Sequence, residues 1–426
     1  MTDLSGKNCL FIDNGLFISI AKNLSKKFGD VFYWSPWSNA FPKSNSALIG
    51  VGVEGITRVN DIWMKNGKYP GMKDIDLVVC PDVYSGDLQL HLVEDCGKRV
   101  WGGRMGEELE LYRDDAKELF RKLKLPVSPY KVVTGLDNLR SYLKEHERQW
   151  VKCNIFRGDF ETFYAENYNN VEPFLDGLEH NLGAKKKITQ FIVEDSLDDC
   201  IETGCDLYNI DGQYPSKCIS GIEIKDLGYL AHFGNYSRMP KEITGFNEAI
   251  APTLKKYGYR GFMSTEIRVT KKERTPYMID FCARAGSPPS ELYQNMFSNL
   301  AEIIWHGADG EMVDPICKDE WGVEVMLHAQ WADQNWQNVQ FPKEIRDNVK
   351  LRNLAVIDDE YYAVPQSVGL PEIGAVVASD KTMQGAIDKV KGYCDQISGY
   401  YIECHTEALD KAQEELDKLK EMGITL

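Results

Sequence analysis

The chain has 426 residues, 43% hydrophobic and 27% charged, a globular composition that excludes a disordered chain, a collagen and a coiled coil. At roughly 100–200 residues per domain it predicts two to four domains. Its 49 basic and 65 acidic side chains leave a net charge of −16, so no large nucleic-acid footprint and no anionic membrane surface are expected as partners. No run approaches the roughly 18 uninterrupted apolar residues of a membrane helix. The opening MTDLSGKNCLFID lacks a basic segment followed by a long apolar one, which predicts a soluble, cytoplasmic protein. The eleven cysteines and seven histidines are scattered, without C-x-x-C or H-x-x-x-H, so reduced thiols are expected rather than a zinc site or disulfide framework.

In chain order, NCLFID (8–13) predicts a strand, Asp13-Asn14-Gly15 a turn, FISIAKNLSKKFG (17–29) a helix and VFYW (31–34) a second strand. IDLVVCPD (75–82) predicts a buried strand, DLQLHLVEDCG (87–97) a helix and KRVWGG (98–103) extended chain. Strand–helix alternation implies a parallel sheet with helical crossovers. Such sheets bind ligands beyond the carboxyl ends of their strands, which makes Asp13-Asn14-Gly15 and Asp82 candidates, with plain turn chemistry as the alternative.

One helix is predicted from 106 to 123, with Leu109, Ala116, Leu119, Phe120 and Leu123 on its buried face and Pro126 beyond its end. An α+β pattern follows: helix 136–147, strands 150–156 and 161–167, helix 171–182, strand 188–195, then strands at LYNIDG and GIEIKD, a helix at 246–258, and strands 261–270 and 276–286. Another helix is expected at 289–306. The last 120 or so residues predict strands at VEVMLHAQW, LAVIDDEYYAV and GAVVASD and helices at TMQGAIDKVKGYCDQI and HTEALDKAQEELDKLKEMG, the final one burying Ala408, Leu409, Ala412, Leu416 and Leu419 and stopping at Gly423. Lys185-Lys186-Lys187 reads as a solvated loop, with a phosphate-facing role as the alternative.

Three features carry chemistry. Side chains alternate across a strand, so Ser264, Glu266 and Arg268 share one face of the first late strand, and Met278, Asp280, Cys282 and Arg284 share one face of the second, with KKERT (271–275) as the hairpin turn. Asp280 inside Tyr-Met-Ile-Asp-Phe-Cys runs against strand propensity. Carboxylates on rigid strands suit Mg²⁺, and an adjacent arginine suits a transferring phosphate; a solvated sheet face is the bland alternative. Lys152 lies inside the strand around Trp150-Val151-Lys152, either snorkelling to water or holding phosphate oxygens, and Arg157-Gly158-Asp159 follows as a cationic turn. The Walker A pattern G-x-x-x-x-G-K-[ST] is absent. Third, Phe191-Ile192-Val193-Glu194-Asp195 is a strand ending in acids, with Glu202 shortly after.

In this order and spacing these residues resemble the ATP-grasp family, and more closely its glycinamide ribonucleotide synthetases, the phosphoribosylamine–glycine ligases. DLVVCPDVYSGDLQLHLVEDCGKRVWGG resembles that family's last N-domain strand and helix, ELYRDDAKELFRKLKLPVSPY its opening helix and Pro-x-x-x-Tyr segment, WVK its ATP-binding strand, FIVEDSL its hinge, and YMIDFCARAGSPP its E-F-N-x-R-x-G-D-P-E stretch. GAVVASDKTMQGAIDKVKGYCDQI resembles its last domain. The resemblance implies an α/β and α+β multidomain chain: an N-terminal parallel α/β domain (1–105), an ATP-grasp fold of two α+β subdomains with antiparallel sheets (106–310, lid subdomain about 128–192) and a C-terminal α+β domain (311–426). It implies ATP and Mg²⁺, or Mn²⁺, as cofactors and small-molecule carboxylate and amine substrates. Lys152 and Arg157 are implied on the ATP phosphates, Glu194, Asp195 and Leu197 at the adenine, Glu202 at the ribose, and Glu266 and Asp280 on the metal. Arg284 is implied beside the acyl phosphate, and Lys225 as a further catalytic cation.

The sequence departs from the pattern. Phe156-Arg157-Gly158-Asp159 stands where the family has a glycine-rich lid loop, Cys282 where it has a metal-binding asparagine, and Asp280 where it has a glutamate. LGYLAHFGNYSRMP (227–240) replaces G-P-N-T-G-G-M-G. The implied activity is an ATP-dependent carboxylate–amine ligase; the alternatives are an authentic phosphoribosylamine–glycine ligase and an ATP-binding pseudoenzyme or interaction module.

Overall fold

The computed structural model describes residues 2–36, 45–154, 162–365 and 372–426. The turn bearing Arg157 lies outside the described residues. The chain divides into two compact units, one of residues 1–107, 203–265 and 282–426 and the other of 108–202 and 266–281.

The first unit opens with the expected parallel sheet. Its strands lie in the order Ile56–Arg58, Asp30–Trp34, Asn8–Ile12, Leu77–Val79, Arg99–Trp101, all paired parallel. Leu10, Phe32, Val78 and Val100 pack with Ile62, Tyr69 and Leu92 in one core, which is why these strands read as unbroken apolar runs. The chain leaves Asn8–Ile12 toward one edge and later returns beside it as Leu77–Val79, so the topological switch lies between these two strands.

The same unit holds an antiparallel sheet in which the strand Cys200–Ile210, from Thr203 onward, and Lys217–Ile224, Gly228–Asn235, Trp321–His328, Glu372–Asp380 and Val349–Leu351 are successive neighbours. The final helix, Ala408–Glu421, buries Ala408, Leu409, Ala412, Leu416 and Leu419, and Gly423 ends it at φ +72°, where a glycine avoids the Cβ strain of the left-handed region.

The second unit is built on a four-stranded antiparallel sheet, Tyr130–Thr134, Gln190–Asp195, Gln149–Cys153 and Thr162–Ala165. Val151, Cys153, Phe191 and Val193 point to one face and form a core with Leu139, Leu143, Leu175 and Leu178 from the helices Leu136–Glu145 and Tyr168–Leu182. Period-two alternation therefore sends Lys152 and Glu194 to the opposite face. The strands Arg260–Thr270 and Pro276–Cys282 belong partly to each unit.

Several elements differ from the sequence expectation. The helix expected over 106–123 breaks at Tyr112 into Glu108–Leu111 and Arg113–Lys122. LAVIDDEYYAV is two strands, Leu354–Ile357 and Glu360–Ala363, turned back at Asp358 and Asp359, both at positive φ, a conformation Asp tolerates better than most residues. The helix expected over 289–306 is two, Ser290–Met296 and Leu300–Ala308. The strand expected over 276–286 ends at Cys282, so alternation along it does not fix the direction of Arg284. GIEIKD is a strand only to Ile224, and Lys225 is on the exposed turn that follows.

Candidate functional site

In the second unit, the face of the sheet opposite its apolar core carries a buried group of charges. Trp150 is opposite Glu194 and Lys152 opposite Ile192, so Lys152 and Glu194 are diagonal neighbours, within reach of long side chains. Lys152 Nζ lies 3.5 Å from Glu194 Oε1 and 3.5 Å from Asp280 Oδ2. It donates to the carbonyl of Ile279 at 2.7 Å. At 3% exposure this lysine does not snorkel to water.

The helix Arg113–Lys122 completes the group. Lys117 Nζ is 3.0 Å from Glu194 Oε2 and Arg113 Nε 3.9 Å from Asp280 Oδ1. Asn154 fixes the helix start, its Oδ1 accepting from the Arg113 amide at 2.9 Å and its Nδ2 donating to Asp114 at 2.7 Å. Arg113 also donates to the Cys153 carbonyl. Three cations thus meet two carboxylates on one sheet face.

Burial alone would raise the pKa of Asp280, but Lys152, Arg113 and Lys117 outweigh it and hold the carboxyl below its ordinary value. Burial alone would likewise lower that of Lys152, but Asp280 and Glu194, with Glu266 behind them, raise it despite Arg113. Lys117 moves the other way: burial outweighs its close pair with Glu194, and Lys152 repels it. The ionised lysine of this set is therefore held most firmly at Lys152.

The other residues singled out from the sequence are placed less closely. Asp195 is exposed; it accepts from Gln149 Nε2 at 3.1 Å through Oδ1 and from Ser128 Oγ at 2.8 Å through its carbonyl. Leu197 is half-buried in the segment after this strand. Glu202 receives both Nε and Nη2 of Arg268, at 2.9 and 2.8 Å, and Arg268 stands 5.5 Å over the Trp150 ring. Among the described residues no three His, Cys, Asp or Glu side chains gather as a metal cage. Glu266 and an ionised Asp280 nevertheless suit Mg²⁺, which usually takes one or two carboxylates and leaves its other positions to water and substrate phosphate.

Arg284 and Asp82 belong to the first unit. Arg284 Nε is 3.9 Å from Asp82 Oδ1, at the carboxyl end of the Leu77–Val79 strand, and Nη1 donates to the Ala285 carbonyl at 2.8 Å. Asp13, at the end of the adjoining strand, is 3% exposed. Its Oδ2 accepts from the amides of Gly15 and Phe17 and from the Tyr33 hydroxyl. Burial pushes its carboxyl up to about 7 against the Tyr33 hydrogen bond, with Asp82 adding to the rise. Nearby, burial pushes Glu107 up to about 8 although the Ser85 and Gly86 amides donate to it.

Arg113 and Lys117 escaped the sequence reading because charged residues on a surface helix are ordinarily taken as its solvated face. Their signal was spacing: 113, 116, 117 and 120 follow the i, i+3, i+4, i+7 rule of a buried stripe, and Ala116 and Phe120 on it are apolar.

No protein-family model matches the sequence, and no curated protein does. Solved structures match over nearly the whole chain. Phosphoribosylamine–glycine ligase from Thermotoga maritima superposes with a TM-score of 0.64 at 14% identity, covering 93% of this chain and 98% of that one. The biotin carboxylase of Campylobacter jejuni, solved as a β,γ-ATP complex, gives 0.61 at 15% identity over 99% and 98%. The biotin carboxylase domain of Hydrogenobacter thermophilus 2-oxoglutarate carboxylase, solved with MgADP, ADP and bicarbonate, gives 0.63 at 11% identity over 98% of each chain. These likenesses establish a shared fold.

Proposed function

We propose that this chain, which has the ATP-grasp fold and resembles the phosphoribosylamine–glycine ligases, is an ATP-dependent ligase that joins a carboxylate to an amine. The observation that carries this reading is Lys152, buried and ionised between Asp280 and Glu194. Burying three cations and the Glu194 carboxylate, with Asp280 half-buried beside them, is costly without a use for them, and a cation on a rigid strand beside metal-type oxygens suits a nucleotide triphosphate.

In this reading Lys152, supported by Arg113, binds ATP phosphates, and Lys117 fixes Glu194. Glu194, Asp195 and Leu197 line the adenine, and Glu202, oriented by Arg268, faces the ribose. Glu266 and Asp280 hold Mg²⁺, which when bound neutralises phosphate charge. The substrate carboxylate attacks the γ-phosphorus and ADP leaves, giving an acyl phosphate, which Arg284 steadies. An amine then attacks the acyl carbon and loses a proton, and inorganic phosphate departs to leave the amide. Positioning and charge neutralisation supply most of the rate. Lys225, exposed on its turn, is the weakest member of the proposed set.

The test is ADP release by the purified protein against panels of carboxylates and amines with Mg²⁺ or Mn²⁺. Release that depends on one carboxylate and one amine together is the expected result. Release with glycine and phosphoribosylamine selects the narrower reading of a phosphoribosylamine–glycine ligase. No release with any pair overturns the ligase and leaves a nucleotide-binding module.

A further inference from the structure

A second charged cavity lies wholly in the first unit. It is a small concavity of about 30 Å³ that opens to solvent, and Lys22, Lys26, Arg346 and Lys350 all line it, with Asp347 as the acid and Tyr361 as an aromatic wall. Four cations around one pocket are unexpected in a chain of net charge −16. They come from separate parts of the sequence: Lys22 from the helix Ile18–Leu24, Lys26 from just beyond it, and Lys350 from the strand Val349–Leu351.

Their partners do not use up the charge. Asp347 Oδ1 is 2.8 Å from Lys26, and Glu54, itself largely exposed, is 3.8 Å from Arg346. Lys22 and Arg346 stand 5.6 and 5.7 Å over the Tyr361 ring, an arrangement that holds both cations without neutralising them. Lys350 is only 8% exposed, and among the described residues its ammonium meets no hydrogen-bond acceptor. The buried Glu291 also acts on Lys350, so four cations face three acids and one positive charge is left over.

Simple structural roles account for part of this. A lysine in the last turn of a helix complements the helix dipole, which covers Lys22. An inward charge on a strand at the end of a sheet discourages edge pairing, which covers Lys350. Neither explains why these two converge with Lys26 and Arg346 on one concavity. Burial, with Lys26 and Lys22 adding repulsion, pushes the Lys350 ammonium down to about 8, and burial and Arg346 lower that of Lys22. An arriving anion relieves both.

We infer that this pocket binds the dianionic phosphate group of a small phosphorylated metabolite, with Lys22, Lys26, Arg346 and Lys350 as its donors and Tyr361 beside the remainder of the ligand. The inference stands apart from the ligase reading, since it uses none of the residues assigned to that reaction.

Calorimetric titration of the full chain with inorganic phosphate, glycerol 3-phosphate and glycerol tests it. The two phosphates are expected to bind and glycerol is not. Lys22→Gln and Arg346→Gln, both at half-buried positions, are each expected to weaken phosphate binding about tenfold, as loss of a charge-assisted contact does, while Lys22→Arg retains it. Lys350→Met is expected to abolish binding; thermal unfolding of each variant shows that the fold is kept, and the two half-buried positions decide the matter if Lys350→Met does not fold. No phosphate binding up to about 10 mM, a range in which even weak specific sites register, overturns the inference. So does binding that survives Lys22→Gln and Arg346→Gln together.

Discussion

Lys152 and Asp280 lie 128 positions apart in the sequence, yet Nζ of one stands 3.5 Å from Oδ2 of the other, and each holds its partner ionised, the lysine buried and the aspartate half-buried. Removing the lysine leaves Glu194 with Lys117 alone and Asp280 with Arg113 at 3.9 Å. Each carboxylate thus keeps one cation, so Lys152→Met is expected to lower the unfolding free energy by less than the roughly 3–5 kcal/mol of an uncompensated buried charge. Under conditions where it stays folded, it is expected to weaken Mg-ATP by tenfold to hundredfold, the worth of a charge-assisted phosphate contact. Calorimetric titration with Mg-ATP checks this, and an unchanged dissociation constant removes Lys152 from the nucleotide.

Asp280 and Cys282 are expected to separate cleanly. Thiolate suits Mg²⁺ poorly, and the Cys282 thiol points to the carbonyl of Arg284 at 3.8 Å. Cys282→Ser should keep ADP release within a few-fold, whereas Asp280→Asn should abolish it while circular dichroism stays that of the unsubstituted chain. Equal loss in both variants means that position 282 supplies a metal ligand after all.

How much of this was legible in the sequence follows from which neighbours decide each feature. The parallel sheet was readable because strands buried on both faces, such as Leu77–Val79, need continuous apolar residues whatever surrounds them. The late hairpin was readable as two strands and a turn, but its length was not: nothing in ARAG marks the end of pairing at Cys282. Gly228–Asn235 went unread as a strand because its buried residues, among them Tyr229, Leu230, Ala231 and Phe233, follow no period-two pattern when both faces are covered. At the candidate site, Lys152, Glu194 and Asp280 were singled out one by one, and their meeting depends on pairings between distant segments. Arg113 and Lys117 were missed because local periodicity alone does not say whether a charge on a stripe is buried with a partner.

The acid side of the stability profile is expected to carry the mark of Asp280. A carboxyl whose pKa is lowered on folding contributes stability that is full above its unfolded value and is lost as pH falls through the folded one. The window lies below about pH 4, the ordinary aspartate value. Asp280→Asn should thus be clearly less stable to urea than the unsubstituted chain at pH 6, with the difference shrinking as pH drops below about 4. A difference that stays constant across that window assigns the loss to packing rather than to the Lys152 and Arg113 pairs.

Asp13 should act in the opposite sense. Its Oδ2 accepts three hydrogen bonds, from Gly15 and Phe17 at 3.0 and 3.1 Å and from Tyr33 at 2.7 Å, while Oδ1 is buried without a partner among the described residues. A pKa pushed up to about 7 means that the folded chain keeps a proton which the unfolded chain releases above about pH 4. Stability then declines as pH rises from about 4 to about 7, by up to about 1.4 kcal/mol per pH unit, and levels off beyond. Asparagine retains one oxygen for the three donors and carries no charge to bury. Asp13→Asn is therefore expected to be more stable to urea than the unsubstituted chain at pH 8 and no more stable at pH 5. Part of the slope should persist in the variant, because Glu107, pushed up to about 8, titrates in the same direction. A urea midpoint that rises no more at pH 8 than at pH 5 on making Asp13→Asn shows instead that Asp13 is buried as a carboxylate, with Asp82 and the turn 13–17 arranged around a fixed negative charge.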